Sequence, residues 1–132
     1  MKYCLLLLSC ALTLLTSCDP EVHFSRIVEN SSDHTILLVI QSGGNSDTTE
    51  IAPHQTIEFL NEHKRGRRSE YSECPFGNYE TDFAFEVKGD STLTINADSV
   101  GNKNWQFSTT DKTMNGGGTC ECRLIITNSM ID

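Results

Sequence analysis

The chain has 132 residues, with 18 Asp and Glu against 10 Lys and Arg, for a formal net charge of -8. A surface of that sign repels nucleic acid and anionic lipid headgroups, so a nucleic-acid partner is not expected. The length suits one domain and is too short for two. A chain of this size buries roughly 60% of its unfolded surface, enough for a core without a structural metal.

The first element is a leader. Met1-Lys2-Tyr3 gives a short positive start, and residues 5–15 are almost all Leu, Ala, Cys and Thr. That run has the length of a signal-peptide apolar region and is too short to span a bilayer. It closes on Leu15-Thr16-Ser17-Cys18, which resembles the lipobox of bacterial lipoproteins. The resemblance implies cleavage before Cys18, a diacylglycerol on its thiol and acylation of the new amino terminus. Several palmitate-class chains, at about 0.8 kcal/mol per buried methylene, anchor stably where one would not. Asp19-Pro20-Glu21 is then a short tether. An Asp directly after the lipidated Cys resembles the inner-membrane retention signal of enteric bacteria. Acidic residues in that region resemble the surface-export signal of Bacteroidota, whose small lipoproteins this leader is similar to. The expected address is the cell envelope, the outer membrane ahead of the inner, with the domain spanning residues 22–132.

The mature part reads as all β. Val22–Glu29 is a strand whose apolar residues Val22, Phe24, Ile27 and Val28 break alternation, predicting a bulge near Ser25-Arg26. Asn30–Asp33 is a turn by composition, and a hairpin is expected across it to Thr35–Ile40, a continuous apolar run read as a central strand covered on both faces. Gly43–Asp47 is a loop, Thr48–Ile51 a short strand, Ala52–Gln55 a turn, and Thr56–Leu60 a strand with Ile57 and Phe59 inward. Asn61–Pro75, the longest polar stretch, is read as a loop. Phe83, Phe85 and Val87 alternate with Asp82, Ala84, Glu86 and Lys88, a half-buried strand. Gly89-Asp90 turns the chain into a hairpin with a strand carrying Leu93 and Ile95. Asn104–Thr109 carries Trp105 and Phe107 on one face. After a loop over Asp111–Gly118, a last strand carries Cys120, Cys122, Leu124 and Ile126 on one face. About eight short strands with regularly spaced turns predict a two-sheet β-sandwich, immunoglobulin-like or similar, with a small barrel as the alternative.

Removing residues 1–17 takes Cys4 and Cys10 away, and lipidation uses Cys18. That leaves Cys74, Cys120 and Cys122 in the domain. In an oxidising compartment one bridge is expected, Cys74–Cys120 with Cys74–Cys122 as its alternative, because Cys120 and Cys122 stand too far apart along a strand to pair. A Cys-based zinc site needs four convergent ligands. The Cys-x-Cys spacing and the scattered His23, His34, His54 and His63 do not supply them, so no metal or cofactor is expected.

Three further features carry weaker chemistry. Lys64, Arg65, Arg67 and Arg68 form the one basic cluster, a candidate anion or glycan patch flanked by Glu62, Glu70 and Glu73. Trp105, with Tyr71 and Tyr79, is a candidate sugar platform if exposed and a core residue if its alternation with Phe107 is taken at face value. Thr48, Ser91 and Ser99 follow Asp in patterns that resemble Bacteroidota O-glycosylation acceptors. Glu80, Asp82 and Glu86 fit a solvated strand face better than a calcium site. No Gly-x-Ser-x-Gly, His-Glu-x-x-His or phosphate loop is present. The expected function is a non-catalytic, lipid-anchored module binding an envelope protein or glycan. A small envelope hydrolase or metal-dependent enzyme is the alternative. If the three acceptors are glycosylated, the intact mass of the native protein exceeds that of the lipidated chain by whole hexose-containing units; an unshifted mass removes the assignment.

Overall fold

The computed structural model describes residues 19–74, 81–96 and 100–132. They form seven strands in two sheets: β1 Glu21–Asn30, β2 Ile36–Ser42, β3 Asn45–Ile51, β4 Thr56–Arg65, β5 Thr81–Val87, β6 Gln106–Lys112 and β7 Gly118–Ile126. One sheet runs β4-β1-β7-β6 and the other β3-β2-β5. The β1–β7 pairing is parallel and the others are antiparallel. No ladder joins the sheets among the described residues, so the chain is an open sandwich and not the barrel held as the alternative.

Alternation decides which side chains enter the core. On β7, Cys120, Cys122, Leu124 and Ile126 are all buried, as their spacing predicts. Opposite them, Ile36 and Leu38 on β2 face Val87 and Phe85 on β5. Trp105 completes this main core, packed against Phe59 and Phe83. A second, smaller cluster holds Val22, Phe24 and Cys120, covered by Tyr71.

Strand β1 departs from its expected pattern. It keeps strict alternation and turns Arg26 and Asn30 inward, leaving Ile27 half-buried. The irregularity lies in the neighbouring strand. Arg26 faces Leu60 and Ile27 faces Glu58, so Phe59 on β4 is the extra residue. The inward Arg26 is matched by an inward Glu62, 3.3 Å away, and its guanidinium lies 5.9 Å from the centroid of the Phe83 ring.

Other boundaries move as well. The Asn61–Pro75 loop is corrected, because Asn61–Arg65 continue β4 and pair along β1; hydrogen bonding to a neighbouring strand needs no apolar residues. The Gly43–Asp47 loop shrinks to Gly43-Gly44, both at positive φ, which gives a two-residue hairpin between β2 and β3. The hairpin from Asp90 to a Leu93–Ile95 strand is absent. Ile95 makes a single bridge to Ile131 instead, which removes the eighth strand. β2 is central in its sheet, though only Ile36 and Leu38 are fully buried and the opposite face is half-covered.

The expected β1–β2 hairpin is also corrected. The two strands belong to different sheets, and Asn30–Asp33 carries the chain across. Asn30 is fully buried at the crossing. Its Nδ2 donates to the carbonyls of His34 (2.8 Å), Ile51 (3.0 Å) and Ala52 (3.1 Å). Its Oδ1 accepts from the backbone N–H (3.1 Å) and hydroxyl (2.7 Å) of Ser32. One side chain thereby ties the end of β1 to the crossover and to the end of β3. Asn30→Ala leaves those buried groups without their partner and should cost about 3 kcal/mol in urea denaturation. A loss under about 0.5 kcal/mol, the scale of an ordinary surface change, would show that the crossing holds without it.

Candidate functional site

The alternation that buries Val22 and Phe24 sends Glu21, His23 and Ser25 to the outer face of the four-stranded sheet. The β4 partners Arg65, His63 and Asn61 stand opposite them in that order. On the other side, His23 pairs with Thr119 of β7, and Thr119 pairs with Asp111 of β6. All of these side chains except His63 line a groove of about 1060 Å³, which Asp19, Thr113, Met114 and Asn115 also border. Met114 is fully exposed there.

The end of the groove is held by backbone contacts. Gly66 N–H donates to the Pro20 carbonyl at 2.9 Å, pinning the tether to the end of β4. A side chain at Gly117 would bring its Cβ within 2.3 Å of the Glu21 carbonyl oxygen, so only glycine lets the β6–β7 turn lie against the start of β1. Asn115 Oδ1 accepts from Thr113 Oγ1 (2.7 Å) and from the Gly117 N–H (3.2 Å), which shapes that turn.

On the same outer face, the rings of His23, which lines the groove, and His63, which does not, meet edge to face with centroids 4.2 Å apart. Ligand atoms of Glu21, His23 and His63 all lie within 4.8 Å of one another. His23 and His63 are scattered along the sequence, forty residues apart, and only the β1–β4 register makes them neighbours. The Glu21-Val22-His23 spacing was a readable sign, since two residues apart on a strand share a face. Farther along this face Arg123 bridges Glu29 (3.0 Å) and Glu121 (2.8 Å), and these carboxylates, Glu121 first, raise its guanidinium pKa further.

The structure disperses the basic cluster. Arg65 lines the groove, while Lys64 lies on the inward side of β4 opposite Val22. Arg67 lies beside Gly116 and Arg68 beside Gly118, both folded over the β6–β7 turn, where the Arg68 N–H donates to the Gly116 carbonyl at 2.9 Å. Trp105 is 7% exposed, and its indole N–H donates to the Val100 carbonyl at 3.3 Å. Tyr71 packs edge to face on Phe24 and donates to the Arg65 carbonyl. Of the acceptor candidates, Thr48 is exposed on β3. Ser91 is exposed in a turn where Asp90 Oδ1 accepts from Thr92 Oγ1 (2.6 Å) and N–H (2.9 Å). Those bonds, the hydroxyl first, hold the Asp90 carboxyl below its usual range. Glu86 is exposed on β5, opposite Leu37. The Leu15–Cys18 motif, Tyr79, Glu80 and Ser99 lie outside the described residues.

The cysteine pairing is corrected to its alternative. Cys74 and Cys122 stand at disulfide distance, with Cα atoms 5.7 Å apart, and Cys120 is free and buried. Both β7 thiols face inward. Cys122 borders the main core, where Cys74 packs, while Cys120 sits in the smaller cluster under Tyr71. The path of the chain after β4 makes the choice, and strand spacing alone is blind to it. Burial pushes the Cys120 thiol pKa up, against a weaker opposing pull from the Arg68 charge. With the bridge formed, non-reducing iodoacetamide labelling should leave Cys120 unmodified in the native protein and label it after denaturation. Reduction should lower stability by up to about 4 kcal/mol for a loop of 48 residues. Rapid native labelling of Cys120, or labelling of Cys74 without reductant, would contradict this arrangement.

No protein-family model, curated protein or solved structure matches this chain, so its functional reading rests on the residues described above.

Proposed function

We propose that the protein is a lipid-anchored lipoprotein of the bacterial cell envelope that acts as a non-catalytic binding module. The observation that carries this reading is the Leu15-Thr16-Ser17-Cys18 motif placed directly before a folded β-sandwich. The Pro20 carbonyl is already hydrogen-bonded to the domain, two residues after Cys18. Two extended residues span at most about 7 Å. A lipid on Cys18 therefore holds the first turn of chain, and the groove beside it, close to the membrane surface. Asp19 and Glu21 are among the residues that line the groove. Its imidazole, carboxylate and hydroxyl groups suit a small polar ligand or a polar segment of an envelope protein or glycan. In this reading signal cleavage leaves Cys18 first, the outer membrane is the main address, and export supplies the oxidising surroundings that close Cys74–Cys122.

The test is metabolic labelling with palmitate, followed by membrane fractionation. The wild-type chain should carry label, partition into detergent and sediment with membranes. Cys18→Ala should carry none and retain the leader, read as a longer unlabelled chain by intact mass. Wild-type protein recovered unlabelled in the soluble fraction would sink the lipoprotein reading.

A further inference from the structure

We infer that Glu21, His23 and His63 form a binding site for a divalent transition-metal ion of the zinc class, on the outer face of β1 and β4 beside the groove. Two imidazoles and one carboxylate are a donor set that zinc accepts, the remaining position being left to water or a ligand. The three come from two adjacent strands. His23 and His63 are directly paired across β1 and β4, and Glu21 stands two residues before His23 on the same face. Their ligand atoms lie within 4.8 Å of one another. Zinc bonds of about 2.0–2.1 Å place neighbouring donors about 3.4 Å apart, so small side-chain rotations close the set without moving the backbone. His23 is half-buried, whereas Glu21 and His63 are exposed, which leaves an approach from solvent.

The surroundings favour a cation. Asp19 and Asp111 line the groove that Glu21 and His23 also border, so this face carries further negative charge. Arg65, paired with Glu21, is the basic side chain that shares the space. The backbone under Glu21 is held by the close approach of Gly117, so the carboxylate is presented from a constrained strand end. Among the described residues the cysteines make no competing site, since Cys120 is fully buried and Cys74 and Cys122 stand at disulfide distance. The site is independent of the lipid. It adds a specific chemistry to the groove, an open coordination position that a carboxylate, phosphate or imidazole group of a partner can fill.

The experiment uses the full-length chain, purified in detergent through a tag without histidine, and titrated with zinc under calorimetric detection. One zinc ion should bind per chain. His23→Ala and His63→Ala should each weaken it by at least about tenfold, the lower end of what even an outer-shell partner contributes. His34→Ala and Cys120→Ser should leave the affinity unchanged. Cobalt titrated into the wild-type chain should give visible absorption bands that His63→Ala removes. Circular dichroism of each variant separates lost binding from lost fold, and His63, being exposed, is the substitution least able to disturb the sheet. The inference is overturned if the wild-type chain takes up no zinc saturably, or if the folded His63→Ala chain binds as tightly as wild type. Retention of zinc by Cys18→Ala is expected even if the lipid anchor proves wrong, so the two readings fail separately.

Discussion

The sandwich depends on how its chain crosses from one sheet to the other, and Asn30 governs that crossing. A crossover between sheets leaves carbonyls and N–H groups with no ladder to join, and buried backbone groups without partners are costly. Asn30 answers this with both its main chain and its side chain. Its N–H donates to the Gln55 carbonyl, its own carbonyl accepts from His54, and its amide reaches His34, Ile51 and Ala52. Asparagine suits the place because its side chain is both donor and acceptor. An apolar residue of similar volume would fill the space and leave the crossing unsatisfied.

The same strand carries a second polar group inward, and the sheet accommodates it by pairing. Arg26 and Glu62 face the interior from β1 and β4, beside the Phe83 ring. Burying such a pair costs several kcal/mol in desolvation, offset by their mutual attraction at close range. Removing one partner of such a pair is costly, because it leaves the other charge buried without compensation. The pair lies beside the β4 bulge, where Phe59 is the extra residue and the register shifts by one between Arg26 and Ile27. The inward charges and the extra residue belong to one local solution.

Inner and outer faces are linked by the two-residue period. Val22 and Phe24 must be buried, so Glu21 and His23 must be outside. Once β4 pairs along β1, His63 has no choice but to stand opposite His23. The candidate metal site is thus a consequence of packing decisions made on the other side of the sheet. Its place beside the tether follows from β1 starting at Glu21. If Cys18 bears lipid, the most chemically distinctive part of the domain also lies nearest the membrane.

By itself the sequence determined the class of fold and the inward face of β7, because both follow from local alternation of apolar residues and closely spaced turns. It also carries a linear pattern that resembles a leader and lipobox, and it sent Trp105 and Phe107 to the core, although Trp105 precedes β6 and the expected Asn104–Thr109 strand runs over Gln106–Lys112 instead. The buried Arg26 and Asn30 were not legible, since alternation of apolar residues cannot register a polar side chain whose partner lies elsewhere in the chain. The tertiary structure alone decided that β1 and β2 part into different sheets, that the polar Asn61–Arg65 continue a strand, and that Cys74 meets Cys122 and not Cys120. It alone brought His63 to His23. Each of these is a pairing between segments tens of residues apart, chosen by register and by the shape of the core, and neither is written in the spacing of any one segment.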